Sequence, residues 1–240
     1  MYTPAHFDET RPELLHQLVR DHPLGLLITQ GANGLDANPI PFLLDAEDGR
    51  PGVLRAHVAR ANPVWREART DVETLVVFQG PQAYITPNWY PLKAETGKVV
   101  PTWNYITVQA RGKLVVRDDA AWVHQLVMRL TQRHEATQSK PWAVSDAPGD
   151  YIEAMLRAIV GIEIPLDSLR GKWKMSQNRP VSDREGMSRG LRAQGDEQSL
   201  AVAGWVDRAA AKRGLRGQGD EQSLAVAGWV DRAAAKPAAG

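Results

Sequence analysis

"LGLLITQGANGLDANPIPFLLDAEDGRPGVLRAHVA", residues 24 to 59, decides the fold of this chain. Its short apolar runs are separated by "GANG" and "EDGRPG", and such Gly, Asn and Asp clusters mark turns between extended segments. Three successive strands are predicted here. Downstream, "ETLVVFQGPQAYITPNWY" (73–90) predicts two more, rich in β-branched and aromatic residues. "TWNYITVQARGKLVVRD" (102–118) predicts at least one long or broken strand after an irregular loop from Pro91 to Pro101.

Helical spacing appears on either side. In "TRPELLHQLVRDHPLG" (10–25), Thr10 and Glu13 stand at capping-box spacing, and Leu14, Leu15, Leu18 and Val19 form one stripe that ends before Pro23. "DDAAWVHQLVMRLTQRHEA" (118–136) predicts a helix with Asp118 as its cap and Trp122, Leu126 and Leu130 on one face. "DYIEAMLRAIV" (150–160) predicts another. "GIEIPLDSLRGKWKMSQNRP" (161–180) reads as a short strand followed by a basic loop. Strands in succession, with helices set apart from them, imply an α+β protein built on a closed antiparallel barrel, since closure removes exposed edges. A parallel doubly wound sheet would need alternating strands and helices, and there is no such alternation.

The tail repeats itself. "RGLRAQGDEQSLAVAGWVDRAAAK" (189–212) is followed at once by "RGLRGQGDEQSLAVAGWVDRAAAK" (213–236), the two differing only at Ala193 and Gly217. Two near-identical units are a tandem duplication rather than a solenoid, which needs more units to bury a face. We expect a body at 1–188 and a helical tail at 189–240, with one copy docked on the body and the second loose.

The 240 residues carry 29 basic and 28 acidic side chains, a net charge of +1, so no global field draws the chain onto nucleic acid or an anionic membrane. The absence of cysteine removes disulfides, thiolate nucleophiles and thiolate metal sites, and fits a reducing compartment. No secretory leader and no apolar run of membrane length is present, so the expected location is the cytoplasm. Dinucleotide, Walker, GxSxG and HExxH motifs are absent, His134-Glu135 lacks a second imidazole four residues on, and no metal site is expected.

Three stretches carry candidate chemistry. In "LRAHVARANPVW" (54–65) a strand should break at Asn62-Pro63, leaving Arg60 and the turn amides at a strand end, where a guanidinium fork and a nest suit a phosphate. Arg55 is expected to face solvent. In "GKVVPTWNYITV" (97–108), Trp103, Asn104 and Tyr105 offer planar surfaces and an amide suited to a flat heteroaromatic ring, or a strand packed on a helix. "GKWKMSQNRP" (171–180) places Lys172, Lys174 and Arg179 around Trp173, too few cations for a specific DNA surface but enough for a loop over an anionic cofactor.

"MYTPAHF", "HPLGLLIT", "PFLL", "HVARANPVW", "VVFQGPQAYITPNWY", "KVVPTWNY" and "GKWKMSQNRP", in this order over about residues 1–190, resemble the PaiB-like proteins, described as FMN-binding negative transcriptional regulators. The resemblance implies the split β-barrel of the pyridoxamine-phosphate-oxidase-like flavoproteins, FMN as cofactor, and a homodimer with two flavin sites at the interface. It implies His57, Val58, Ala59, Arg60 and Asn62 on the phosphate and ribityl side. It also implies ring contacts from Trp103, Asn104, Lys172, Ser176, Gln177 and Arg179, some from the partner subunit. Where the family is expected to carry His-Ile-Pro-Phe, this chain has Pro39-Ile40-Pro41-Phe42, which removes an imidazole. Three functions follow from these readings: a flavin-binding repressor of the protease-synthesis and sporulation type with DNA contact open, a flavin oxidoreductase, or a module for haem or another cofactor.

Overall fold

The computed structural model describes residues 1–47 and 50–215. Nine antiparallel strands run in the order β3-β2-β6-β7-β9-β5-β4, with β1 and β8 pairing separately with β9. The strands are β1 (Asp8–Glu9), β2 (Leu24–Gly31), β3 (Gly34–Pro41), β4 (Leu43–Glu47), β5 (Arg50–Ala59), β6 (Thr74–Ile85), β7 (Thr102–Gly112), β8 (Val115–Arg117) and β9 (Ile159–Lys174). The architecture is the expected α+β split barrel. Segment 24–59 forms four strands rather than three, because the chain breaks at Phe42, whose amide donates to the Pro23 carbonyl at 2.8 Å. Pro39 lies in β3, an edge strand, where a missing ladder donor is tolerated.

Two predicted strands in 73–90 are a single strand, β6, with a register shift between Gln79 and Gln82 that absorbs Gly80-Pro81. Residues 161–180 hold the larger surprise. β9 extends 16 residues and pairs with β5 and β8 at one end and with β7 and β1 at the other. The strand outruns the short one expected because Gly171 and the two lysines, loop-like in composition, pair with β7. Gly171 is inside the sheet for a packing reason: a Cβ there would lie 2.3 Å from Leu15 Cδ2.

Leu15 and Leu18 come from α1 (Pro12–Asp21), which seats against the strands through Gly80 and Gly171. Arg11, not Thr10, is its N-cap, so the expected capping box does not form. α2 (Val64–Glu67) is a single turn, and α3 (Leu92–Thr96) lies inside the loop expected to be irregular. In α4 (Ala120–Glu135) the cap is Asp119, which accepts from the Trp122 amide at 2.7 Å, and Asp118 is released for another partner. Leu126 and Leu130 of α4 pack with Leu43 of β4 on the outside of the β4-β5-β9 half. α5 (Gly149–Arg157) follows.

α6 (Val181–Gln194) runs across the expected boundary at 188, and α7 (Glu197–Leu215) begins after a two-residue turn. Leu191, Val202, Ala203 and Val206 are almost fully buried in the main core, so the first repeat is part of the body. Each such valine contributes on the order of 2 kcal/mol by leaving water. The second repeat, expected to be loose, lies outside the described residues apart from the end of α7.

Candidate functional site

The two basic stretches sit at opposite ends of β9. Ala59 pairs with Ile159 at its start, while Thr107 pairs with Lys172 and Tyr105 with Lys174 at its end. At roughly 3.3 Å per residue, Ile159 and Lys172 are about 40 Å apart along the strand. Within one chain, the structure therefore does not bring His57, Val58, Ala59, Arg60 and Asn62 together with Lys172, Ser176, Gln177 and Arg179.

At the first end, β5 alternates: Leu54, Ala56 and Val58 face the core, while Arg55 and His57 face outward beneath α4. Trp122 of α4 closes over Gly161, the residue paired with His57. The His57 Nδ1 is buried without a partner, and burial holds the imidazole below its usual pKa, so it is neutral at pH 7. Arg55 does not face solvent; it pairs with Asp45 and, at 2.7 Å, with Glu163. Glu163 also receives Arg117 at 2.5 Å, and although burial opposes its charge, the two guanidiniums outweigh that and hold its carboxyl below the usual range.

Arg60 is fully engaged. Its guanidinium donates to both Asp118 oxygens, at 3.0 and 2.6 Å, and to the carbonyls of Arg157 at 2.9 Å and Ile159 at 3.2 Å. Asn62 spends its amide on Asn38 at 3.1 Å and on capping Val64 at 2.9 Å. A hollow of about 310 Å³ beside Arg60 is lined by Asp118, Asp119 and Glu153 and also by Arg157, which lies 3.9 Å from Glu153. Three carboxylates against two guanidiniums disfavour a phosphate there.

Beyond Lys172, at the second end of β9, the charge is unbalanced. Lys172 is buried, donates to the Tyr2 carbonyl at 3.0 Å and lies 5.2 Å from the Tyr105 ring centroid. Asp8 stands opposite it in register, but forms no ion pair with it. Lys174 donates to Thr102 Oγ1 and the Trp103 carbonyl and sits 5.8 Å from the same Tyr105 ring. Arg179 lies over Tyr90 at 4.9 Å. None of the three forms a salt bridge among the described residues. Burial, then Lys172, then Arg179 lower the pKa of Lys174, as expected where cations converge without an anion.

The loop that follows is internally braced. Asn104 is fully buried, and its Oδ1 accepts from Ser176 Oγ at 2.9 Å. Ser176 has φ of 57°, a left-handed conformation that this bond helps to hold. Gln177 accepts from the Met175 amide at 2.8 Å and donates to the Trp173 carbonyl at 2.5 Å. The polar atoms of Asn104, Ser176 and Gln177 are thus used to shape the loop, and the face they leave open is Trp103, 53% exposed, edge-on to Tyr84 at 6.0 Å.

Composition gives no signal for Tyr2, and the loop expected over 171–180 hides the strand position of Lys174. Once 171–174 is a strand, Lys172 and Lys174 alternate onto one face, the signal that was there to be used. That face continues across β7 and β6 to β2, where Leu24 and Leu26 point outward, with Pro41 and Pro39 opposite them in register. Among the described residues no group of His, Asp or Glu is arranged to hold a metal, and no helix is long and apolar enough to cross a membrane.

Comparison with known proteins adds to this geometry. A family model described as "Putative FMN-binding domain" matches residues 1–168, which stops short of Lys172. An uncharacterized protein of Aspergillus fumigatus is 36% identical, over 85% of this chain and 95% of its own length. "Protease synthase and sporulation protein PAI 2" of Bacillus subtilis is 30% identical, over 76% of this chain and 85% of its own. A solved structure of a conserved hypothetical protein from Mycobacterium tuberculosis superposes with a TM-score of 0.51 at 13% identity, covering 75% of this chain and 94% of that one.

Proposed function

Because this chain belongs to the PaiB-like family of FMN-binding proteins, with FMN as its cofactor, we propose that it holds the flavin between two copies of itself and acts as a flavin-dependent negative regulator. FMN requires cations free to meet a phosphate and a flat apolar surface for its ring. The residues at the far end of β9 fit that demand. Lys172 and Lys174 beside Tyr105, with Arg179 over Tyr90, bring three positive charges with no carboxylate in salt-bridge contact among the described residues, near the exposed Trp103. That uncompensated trio is the observation that carries the reading.

Arg60 fits less well, since a phosphate there would have to displace Asp118. In this proposal Arg60 and Asn62 secure the β5 turn, and the phosphate lies on the lysines. The ring lies along the outer face between Trp103 and Tyr105, where a second copy, seated on Leu24, Leu26, Pro39 and Pro41, would cover it. That apolar strip, on the same sheet face as the cationic one and separated from it by β6 and β7, supports a homodimer with two flavin sites. Bound FMN supplies a redox-active isoalloxazine; the protein's part is to bind, orient and cover it. A regulatory role is favoured over oxidoreduction because the one imidazole among the candidate residues, His57, is buried at the opposite end of β9 and is not placed to move a proton at this face.

Absorption spectroscopy with a size measurement tests this directly. Purified protein should show flavin bands, one FMN per chain, in a dimeric particle. Leu24→Asp with Leu26→Asp should yield monomers that lose FMN. A Soret band would assign a haem module instead, and rapid reduction by NADPH above the rate of free FMN would assign the oxidoreductase. A gel shift that is only salt-sensitive and sequence-blind would remove direct repression.

A further inference from the structure

The groove that α7 fills has two candidate ligands in the same chain. Residues 195–212, "GDEQSLAVAGWVDRAAAK", recur without a single change at 219–236. The main groove contacts of α7 fall within the repeated segment. The Gln198 side chain accepts from the Gln82 amide at 3.1 Å, Val202, Ala203 and Val206 are buried to 1% exposure or less, and Trp205 meets Trp173 edge-on at 6.0 Å. Asp196 accepts from the Ser199 amide at 2.9 Å and so caps the helix. Each has an identical counterpart in Asp220, Gln222, Ser223, Val226, Ala227, Trp229 and Val230. The repeats differ only at positions 193 and 217, outside this segment, and Ala193 is exposed in α6.

We propose that residues 219–236 are a second occupant of the α7 groove, able to replace residues 195–212 within the same chain by a 24-residue slip. α6 stays in place during the exchange. The slip lengthens only the turn at Gly195-Asp196, which is exposed and already has a glycine at φ 75°. Over 195–212 and 219–236 the two registers offer the groove identical side chains, so for this segment the expected populations differ by the cost of closing the longer connection, about fiftyfold in favour of the first copy. The groove lies behind Trp173, between Lys172 and Lys174, so either register supports the cationic end of β9 from below.

The chain has no cysteine, so engineered thiol pairs report the register cleanly. Gln82→Cys is combined with Gln198→Cys or with Gln222→Cys in the full chain, treated with a short bis-maleimide, and mapped by peptide mass spectrometry. The 82–198 link should form in most molecules, and an intramolecular 82–222 link should accumulate more slowly. Adding Val202→Asp and Val206→Asp should make the 82–222 link dominant, whereas Val226→Asp and Val230→Asp should abolish it and leave 82–198 intact. Absence of the 82–222 link in both backgrounds, or its appearance only between two chains, would overturn the proposal. So would failure of the Val202→Asp, Val206→Asp chain to fold, since the spare copy would then not have rescued it.

Discussion

The two ends of β9 are both basic, and among the described residues one is neutralised by carboxylates while the other is not. At its start, Arg60 faces Asp118 and two carbonyls, while Arg55 and Arg117 share Glu163. At its end, among the described residues, Lys172, Lys174 and Arg179 meet carbonyls, a hydroxyl and aromatic faces and no carboxylate in salt-bridge contact. Counting cations along the sequence rates the two alike. Counting their partners separates a structural clamp from a candidate anion site, because a paired guanidinium has already committed the hydrogen bonds that a phosphate would need.

The sharpest way to break this comparison is to remove the open end. Lys172→Met with Lys174→Met should weaken FMN binding by about a hundredfold, at roughly tenfold or more per lost charge-assisted contact. Riboflavin, which lacks the phosphate, should be nearly unaffected in the same fluorescence titration. If the double variant keeps its FMN affinity, the phosphate lies elsewhere.

Next in size is the closed end. Glu163→Gln leaves Arg55 and Arg117 without their shared carboxylate and should cost about 3 kcal/mol in a urea titration. Its depressed pKa sets the sign of the pH effect: the stabilisation is present above the ordinary glutamate value and is lost as pH falls through the folded-state value. Wild-type stability should therefore drop on acidification more than that of Glu163→Gln.

A smaller effect refines the open end. FMN affinity should fall with added salt, and should fall on alkaline titration before ordinary lysines deprotonate, because the Lys174 pKa is lowered by burial and its cationic neighbours. Affinity that is flat from neutral to strongly alkaline pH would remove Lys174 from the site. The smallest expected change is Arg60→Ala, which should leave FMN affinity within about a factor of two, since its ion pair is exposed and turned to Asp118. A large loss there would move the phosphate back to the turn.

Much of the fold is legible in the sequence. The turn clusters at 31–34 and 47–52, the β-branched runs and the stripe of α1 carry their own periodicity, and local period is what separates strand from helix. β9 could not be read this way. Its Gly171 makes sense only against Leu15, and its lysines lie on a face built by other strands. The same holds for Asp118, which is one residue from the true cap and equally plausible as a cap until Arg60 arrives from 58 positions away.

The sequence by itself determined the class of fold, the family, the stretches in which the cations lie and the identity of the two tail segments, because these depend on local pattern and on the residues themselves. Only the tertiary structure decided which cations are neutralised, that the two basic stretches lie at opposite ends of one strand, and that the first repeat belongs to the core. Those are long-range facts. Ion pairs and burial are set by residues far apart in the chain, and no local period encodes them.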